Sequence, residues 1–254
     1  NCIGSSRAPY LVTSEEQRRE WLALADKHPD SLTIEVMGAC NYACCQAEKV
    51  KNYRTVKPDL DRIFESIRPM LSRVRRLRLF NWGEPLMHKG LIDFIAKCRS
   101  QSLDLVLIIS TNAMFLDERT AKSLVEHKLN HLVVSVHGGP GTENLLRYAK
   151  RGADYSKVIG KVQKLMKIRD KDGAEHPKIS LRAILFDWND TDELMDKLRQ
   201  DAKGLGLKAV WGDPETDNYH WILDSGGNGA NASKRFTEGS IELESLKESG
   251  EFFM

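Results

Sequence analysis

Proline and cysteine are scarce in this chain of 254 residues, at 8 and 5, and no apolar run approaches bilayer length. A stretch such as Leu105–Ile109 falls far short of the roughly 20 residues a membrane-spanning helix needs. Neither sign of charge is missing: 38 basic side chains stand against 36 acidic ones, a formal net charge of +2. That balance argues against a surface built to coat a polyanion, so nucleic acid is an unlikely partner. With 41% apolar and 29% charged residues, neither a disordered chain nor a disulfide-stapled miniprotein fits. The start, Asn1-Cys2-Ile3-Gly4, lacks an initiator methionine and the apolar core of a secretory signal. A trimmed or processed chain, soluble and cytoplasmic, with no membrane partner, is therefore expected.

What the chain does have is a cysteine cluster. Cys40, Cys44 and Cys45 lie close together, while Cys2 and Cys98 are isolated. Adjacent Cys44 and Cys45 are poor candidates for bonding each other, because the ring they would close is strained. An odd count and a tight cluster read as metal ligation in a reducing compartment.

Along the chain, Ser14-Glu15-Glu16-Gln17 has capping-box spacing and opens a helical pattern to about Lys27. A repeating beat follows. Strand candidates at Leu32–Met37, Leu77–Asn81, Leu103–Thr111, His131–His137, Ile179–Asp187 and Leu207–Trp211 alternate with helical patterns. The helices are expected near 58–72, 90–101, 117–128, 156–170 and 191–204. Leu60, Ile63, Phe64, Ile67, Met70 and Leu71 form one apolar stripe on the first. Nearly continuous apolar strands between helices imply an α/β fold with a parallel sheet covered by helices. Six units are too few for a closed eight-stranded barrel, so an open partial (β/α)6 TIM-like barrel or a doubly wound sheet fits. The expected division is an N-terminal extension with a helix over 1–30, the barrel over 31–212, and an irregular C-terminal extension over 213–254. The last of these holds a flexible Ser225-Gly226-Gly227-Asn228-Gly229 and a short terminal element, Ser240–Met254.

In parallel α/β sheets, ligands bind beyond the carboxyl ends of the strands. Those ends carry the polar and glycine residues here. Gly38-Ala39-Cys40-Asn41-Tyr42-Ala43-Cys44-Cys45 follows the first strand candidate and Asn81-Trp82-Gly83-Glu84-Pro85 the second. Ser110-Thr111-Asn112 closes the third and Ser135-Val136-His137-Gly138 the fourth. All would face one mouth, which points to a single large active site.

Together these motifs resemble the radical S-adenosylmethionine (radical SAM) superfamily, in its SPASM/twitch-related branch, from about Leu32 to Trp211. The resemblance implies an iron–sulfur, metal-binding enzyme. Three cysteines spaced C-x3-C-x2-C hold three irons of a [4Fe-4S] cluster, and the fourth iron chelates S-adenosyl-L-methionine. One electron from the cluster then releases a 5'-deoxyadenosyl radical that abstracts hydrogen from a small-molecule, sugar or peptide substrate. An electron donor such as flavodoxin or ferredoxin is the implied partner.

By this resemblance Cys40, Cys44 and Cys45 are the metal ligands, and Gly83, Glu84, Ser110, Asn112, Ser135 and Arg182 bind the cofactor. Glu84 would accept from the methionine amino group, and Arg182 would meet its carboxylate. The pattern departs from the family at several positions. Cys45 comes two residues early, Trp82 replaces the first glycine of a GGEP motif, Ala113 replaces a glycine, and His137 stands where an acid is common. Two residues absent between Cys44 and Cys45 would restore the spacing; ligation by Cys45 in an unusual geometry, or a degenerate site, are the alternatives. No cysteine follows Cys98, so no auxiliary cluster is expected in this chain. That disfavours two-electron alcohol dehydrogenation and leaves epimerisation, rearrangement, elimination, or modification of a peptide or sugar.

Each motif also has a plainer reading. Gly-Glu-Pro is a common strand-to-helix turn, and Ser110-Thr111-Asn112 could simply cap a strand end. His137 reads best as satisfying loop carbonyls, and Arg182 could form a salt bridge at the core edge. Trp188, Trp211, Tyr219, His220 and Trp221 line a pocket or plug the core. Arg73, Arg75, Arg76 and Arg78 read as a helix end plus an exposed strand face. Two other classes remain in view. One is a binding or regulatory protein with the radical SAM fold and no functional cluster. The other, a structural zinc protein, is poorer, since no nearby histidine completes four ligands.

Overall fold

The computed structural model describes residues 31–44, 57–136, 138–139, 150–151, 153–185, 189–212, 235, 241–249 and 251. The expected N-terminal helix and Cys45 lie outside the described residues. Six strands form one parallel sheet: β1 (Ser31–Thr33), β3 (Arg76–Arg78), β4 (Val106–Thr111), β5 (His131–Ser135), β7 (Lys178–Ile184) and β8 (Lys208–Gly212). Their spatial order is their chain order, with no reversal. A doubly wound sheet would need a point where the order turns back. The open partial barrel is therefore the right alternative of the two.

The intervening helices are α1 (Leu60–Ile67), α2 (Leu91–Gln101), α3 (Glu118–Glu126), α4 (Tyr155–Lys171) and α5 (Asp192–Gly204). Consecutive members of α1 to α4 pack side by side, as one layer over one face of the sheet. Side chains of caps start most of them: Asp59, Asp117, Asp154 and Thr191 each accept from a backbone amide in the first turn. Alternation along the strands then decides what each side sees. Leu77, Leu79, Leu107, Ile109, Leu132, Val134, Leu181 and Ala183 join Phe64, Phe94, Ile95, Leu124 and Leu165 in the helix-side core. Each full burial of such an aliphatic contributes about 1.5–3 kcal/mol. The residues between them, including Arg78, Ser110, Ser135 and Arg182, fall on the inner face.

Four departures from the sequence expectation have physical causes. The first helix ends as α-helix at Ile67 and continues as a 3-10 turn, Arg68–Met70, because Pro69 lacks an amide to donate. The third strand begins at Val106 rather than Leu103, because the Arg99 guanidinium collects the carbonyls of Leu103 (2.7 Å) and Leu105 (2.8 Å). The same guanidinium reaches Lys128 O (2.9 Å) and Asn130 Oδ1 (2.6 Å), tying two loops together beneath the strands. A two-stranded antiparallel ladder, β2 (Ala43–Cys44) with β6 (Lys150–Arg151), is too short for any sequence period to show. Finally, the short terminal element expected over Ser240–Met254 within the irregular extension takes the form of a helix, α6 (Ile241–Glu248). Beyond it the Glu251 carbonyl accepts from Trp211 N (2.7 Å), and the Glu251 carboxylate accepts from Arg199 Nη2 (2.9 Å). Trp211 is consequently a core residue, 1% exposed, and not a pocket wall.

Candidate functional site

Two loops at the carboxyl ends of β1 and β3 interlock. Gly83 lies so close to the first loop that an added Cβ would stand 1.7 Å from Met37 O and 2.8 Å from Ala39 O. Only glycine permits that approach. The next amide, Glu84 N, donates to Ala39 O at 2.8 Å. Beneath them Glu35 Oε2 accepts from Trp82 N at 2.6 Å, and the amides of Met37 and Gly83 also favour its charged form. Burial outweighs these amides and holds the Glu35 carboxyl above its ordinary value. Glu35 was missed in the sequence reading; the available signal was a charge inside a strand candidate.

Glu84 is 2% exposed and organises the second and third strand ends together. Its Oε1 accepts from Thr111 Oγ1 (2.5 Å) and from Leu86 N (3.0 Å), capping the 3-10 turn Pro85–Met87. Its Oε2 accepts from Asn112 N at 2.7 Å. These three bonds tie one buried carboxylate to both strand ends.

Asn112 continues the connection into the cysteine loop. Its Nδ2 donates to Asn41 Oδ1 at 2.8 Å and lies 3.8 Å from Cys40 Sγ, while its Oδ1 accepts from Met114 N at 3.0 Å. Tyr42 N also points at Cys40 Sγ, at 3.5 Å. Ala113 adopts φ +59°, in the left-handed region. That conformation is the physical reason a glycine suits this position. Ser110 and Ser135 touch through their hydroxyl oxygens at 3.1 Å on the inner face. Arg182 sits in β7 beside Ser135 in register and is 6% exposed.

The structure thus brings Cys40, Gly83, Glu84 and Asn112 into one bonded group, with Ser110, Ser135 and Arg182 along the adjoining strands. Cys44 lies on β2, and Cys45 and His137 lie outside the described residues. The described residues alone contain no group of three or more metal-ligating side chains. The donor set nonetheless suits an iron–sulfur group. Cys40 is a half-exposed sulfur that faces two N–H groups, the arrangement that stabilises a cluster-bound thiolate. Cys98 is the contrast: fully buried in the helix-side core, with burial pushing its thiol up to about 12, it stays protonated and apolar in behaviour.

A family model described as the radical SAM superfamily matches residues 34–198. The chain belongs to this superfamily. Among curated proteins it is 26% identical over 175 residues to GTP 3',8-cyclase of Helicobacter pylori strain HPAG1, spanning 66% of this chain and 51% of that protein. The chain therefore spans about half the length of the curated relatives it matches. Among solved structures, Streptococcus suis SuiB aligns with a TM-score of 0.62 at 14% identity, covering 92% of this chain and 50% of that one. The methyltransferase TsrM from Kitasatospora setae aligns with a TM-score of 0.53 at 15% identity, covering 80% and 40%. These likenesses confirm the partial-barrel fold. Among the described residues, no helix is long and apolar enough to cross a membrane.

Proposed function

We propose that this chain is the core of a radical SAM enzyme related to the SPASM/twitch branch, with residues 31–212 as its catalytic barrel. Cys40, Cys44 and Cys45 would hold a [4Fe-4S] cluster, which with bound S-adenosyl-L-methionine supplies a 5'-deoxyadenosyl radical for hydrogen abstraction. The reading rests above all on the shared hydrogen bonds among Glu84, Asn112 and Cys40 within the matched region.

The chain's own residues have definable tasks. Glu84, fixed in place by Thr111, Leu86 and Asn112, accepts from the methionine ammonium. Asn112 and Tyr42 donate toward the Cys40 sulfur and favour its thiolate. Ser110 and Ser135 present hydroxyls to the ribose or carboxylate, and Arg182 adds a positive charge on the same face. Gly83 needs no contact with the cofactor, because its role is to let the two loops meet. The substrate is a small molecule, sugar or peptide; the peptide in the SuiB–SuiA complex illustrates one such occupant of this fold. A flavodoxin- or ferredoxin-like protein would deliver the electron, in the cytoplasm.

The test is anaerobic reconstitution with iron and sulfide, followed by dithionite and S-adenosylmethionine. Formation of 5'-deoxyadenosine, lost in Cys40→Ala and retained in Cys98→Ala, is the expected result. A full cluster with no 5'-deoxyadenosine above background would refute it. Substoichiometric iron after reconstitution would favour the degenerate, non-catalytic alternative instead, for which the early position of Cys45 is the specific argument.

A further inference from the structure

Arg78 does not belong to an exposed basic strand face. It follows Leu77 and precedes Leu79, both fully buried on the helix side, so its side chain lies on the inner face of the barrel. It pairs in register with Thr33 of β1 and Ile108 of β4. The guanidinium is half-buried, its Nε is shut off from solvent, and among the described residues it makes no hydrogen bond or ion pair. A guanidinium N–H shut off from water without an acceptor is costly unless something else completes it. Glu35 is the nearest acid by register, two residues beyond Thr33, but its carboxylate is turned to the Trp82 amide. Two further buried oxygens on this wall of the sheet, Ser31 Oγ and Glu35 Oε1, also lack a partner with hydrogen-bond geometry. Orphaned polar atoms on adjacent strands of one inner wall mark a place where a polar ligand sits.

We propose that Arg78 binds an anionic group of the substrate, a carboxylate or phosphate, inside the barrel. The proposal rests on reading the barrel interior as the substrate chamber of a radical SAM enzyme. Arg78 lies below the cofactor residues: it pairs with Ile108, two residues before Ser110, one inner-face step of about 7 Å. Arg78 lies six positions before Glu84, and at about 3.3 Å per residue it stands roughly 10 Å down the strand from the Asn81 loop. A planar guanidinium takes either anion with two parallel hydrogen bonds, which fixes orientation as well as charge. The anionic end would anchor on the inner wall just below the cofactor residues and present the remainder of the substrate to the mouth, where the hydrogen is abstracted.

The experiment uses the whole chain without its cluster, so the result depends on neither turnover nor cofactor. Thermal unfolding is followed against inorganic phosphate, and separately acetate, at fixed ionic strength set with chloride, for wild type, Arg78→Lys and Arg78→Met. Wild type should gain about 3–5 °C at ten times its dissociation constant for the preferred anion. Arg78→Lys should keep part of that gain and Arg78→Met none beyond the general salt effect. In chloride alone Arg78→Met should be at least as stable as wild type, since an uncompensated charge is removed. Equal anion responses in wild type and Arg78→Met, or a clear destabilisation of Arg78→Met in chloride, would overturn the proposal. So would a tenfold loss of S-adenosylmethionine affinity in cluster-loaded Arg78→Met, which would assign the guanidinium to the cofactor's carboxylate.

Discussion

Replacing Gly83 by alanine tests the interlock of the two loops directly. The new methyl would stand 1.7 Å from Met37 O and 2.8 Å from Ala39 O, both backbone atoms with no rotamer to yield. One loop has to move by more than an ångström. That motion pulls on the Glu84 N to Ala39 O bond and on the Trp82 N to Glu35 bond, at 2.8 and 2.6 Å. Overpacking of a tight site costs about 1–3 kcal/mol, and losing one of these bonds adds about 1 kcal/mol. A total loss of about 2–4 kcal/mol is expected. Urea unfolding gives the value, with Gly160→Ala as control. Gly160 lies within α4 and has nothing within 4 Å of an added Cβ. Its substitution should stabilise by about 0.5–1 kcal/mol through helix propensity. If Gly83→Ala changed stability by less than 0.5 kcal/mol (about the scatter of a surface substitution), the close approach would not exist as described.

Three further outcomes follow from the same geometry. Ala113→Gly should be within about 1 kcal/mol of neutral in the same assay, because relief of the backbone at φ +59° offsets loss of a buried methyl; a loss of more than about 2 kcal/mol, the full cost of the deletion, would contradict that conformation. Arg99→Met should cost about 3–5 kcal/mol by leaving the carbonyls of Leu103, Leu105 and Lys128 without their donor, and a neutral result would show the guanidinium to be dispensable. Glu35 has its carboxyl raised by burial, so the folded state holds its proton more tightly than the unfolded state. The resulting stabilisation is full below the ordinary value of 4.5 and is lost as pH climbs through the raised one. Wild type should therefore lose stability relative to Glu35→Gln as pH rises above 4.5, whereas a parallel pair of pH profiles would place the carboxylate in water.

The barrel was legible because each strand–helix unit carries its own local pattern. The stripe from Leu60 to Leu71 and the β-branched run in Val106–Thr111 need no distant partner to be recognised. Motif residues were legible for a related reason: cysteine, glycine and glutamate at strand ends are chemically conspicuous one at a time. Residues whose meaning depends on the side they face were not. Glu35 and Arg78 are both charges within strand candidates, and only the alternation against Leu77, Leu79 and Ile34 puts them on the inner wall. Leu103 misled for the opposite reason. Its apolar character extended a strand pattern into a segment whose carbonyls belong to Arg99, and it ends 80% exposed.

The cysteine loop is held from behind, through bonds that do not involve a thiolate. Gly83 and Glu84 meet the backbone of Met37 and Ala39, and Asn112 bonds Asn41. Position through Tyr42, 3% exposed, is therefore set by folding itself. If Cys40 is a cluster ligand as proposed, its orientation cost is met before any metal arrives, which is how a preorganised site gains affinity. Cys44 differs, for it is tied to the rest by the two-residue ladder with Lys150 and Arg151. Among the described residues, the Cys40 side of the loop is held by these bonds and Cys44 by the ladder. If Cys40, Cys44 and Cys45 hold a cluster as proposed, metal loading should protect the amides around Cys44 from hydrogen exchange far more than those of Ala39 and Glu84.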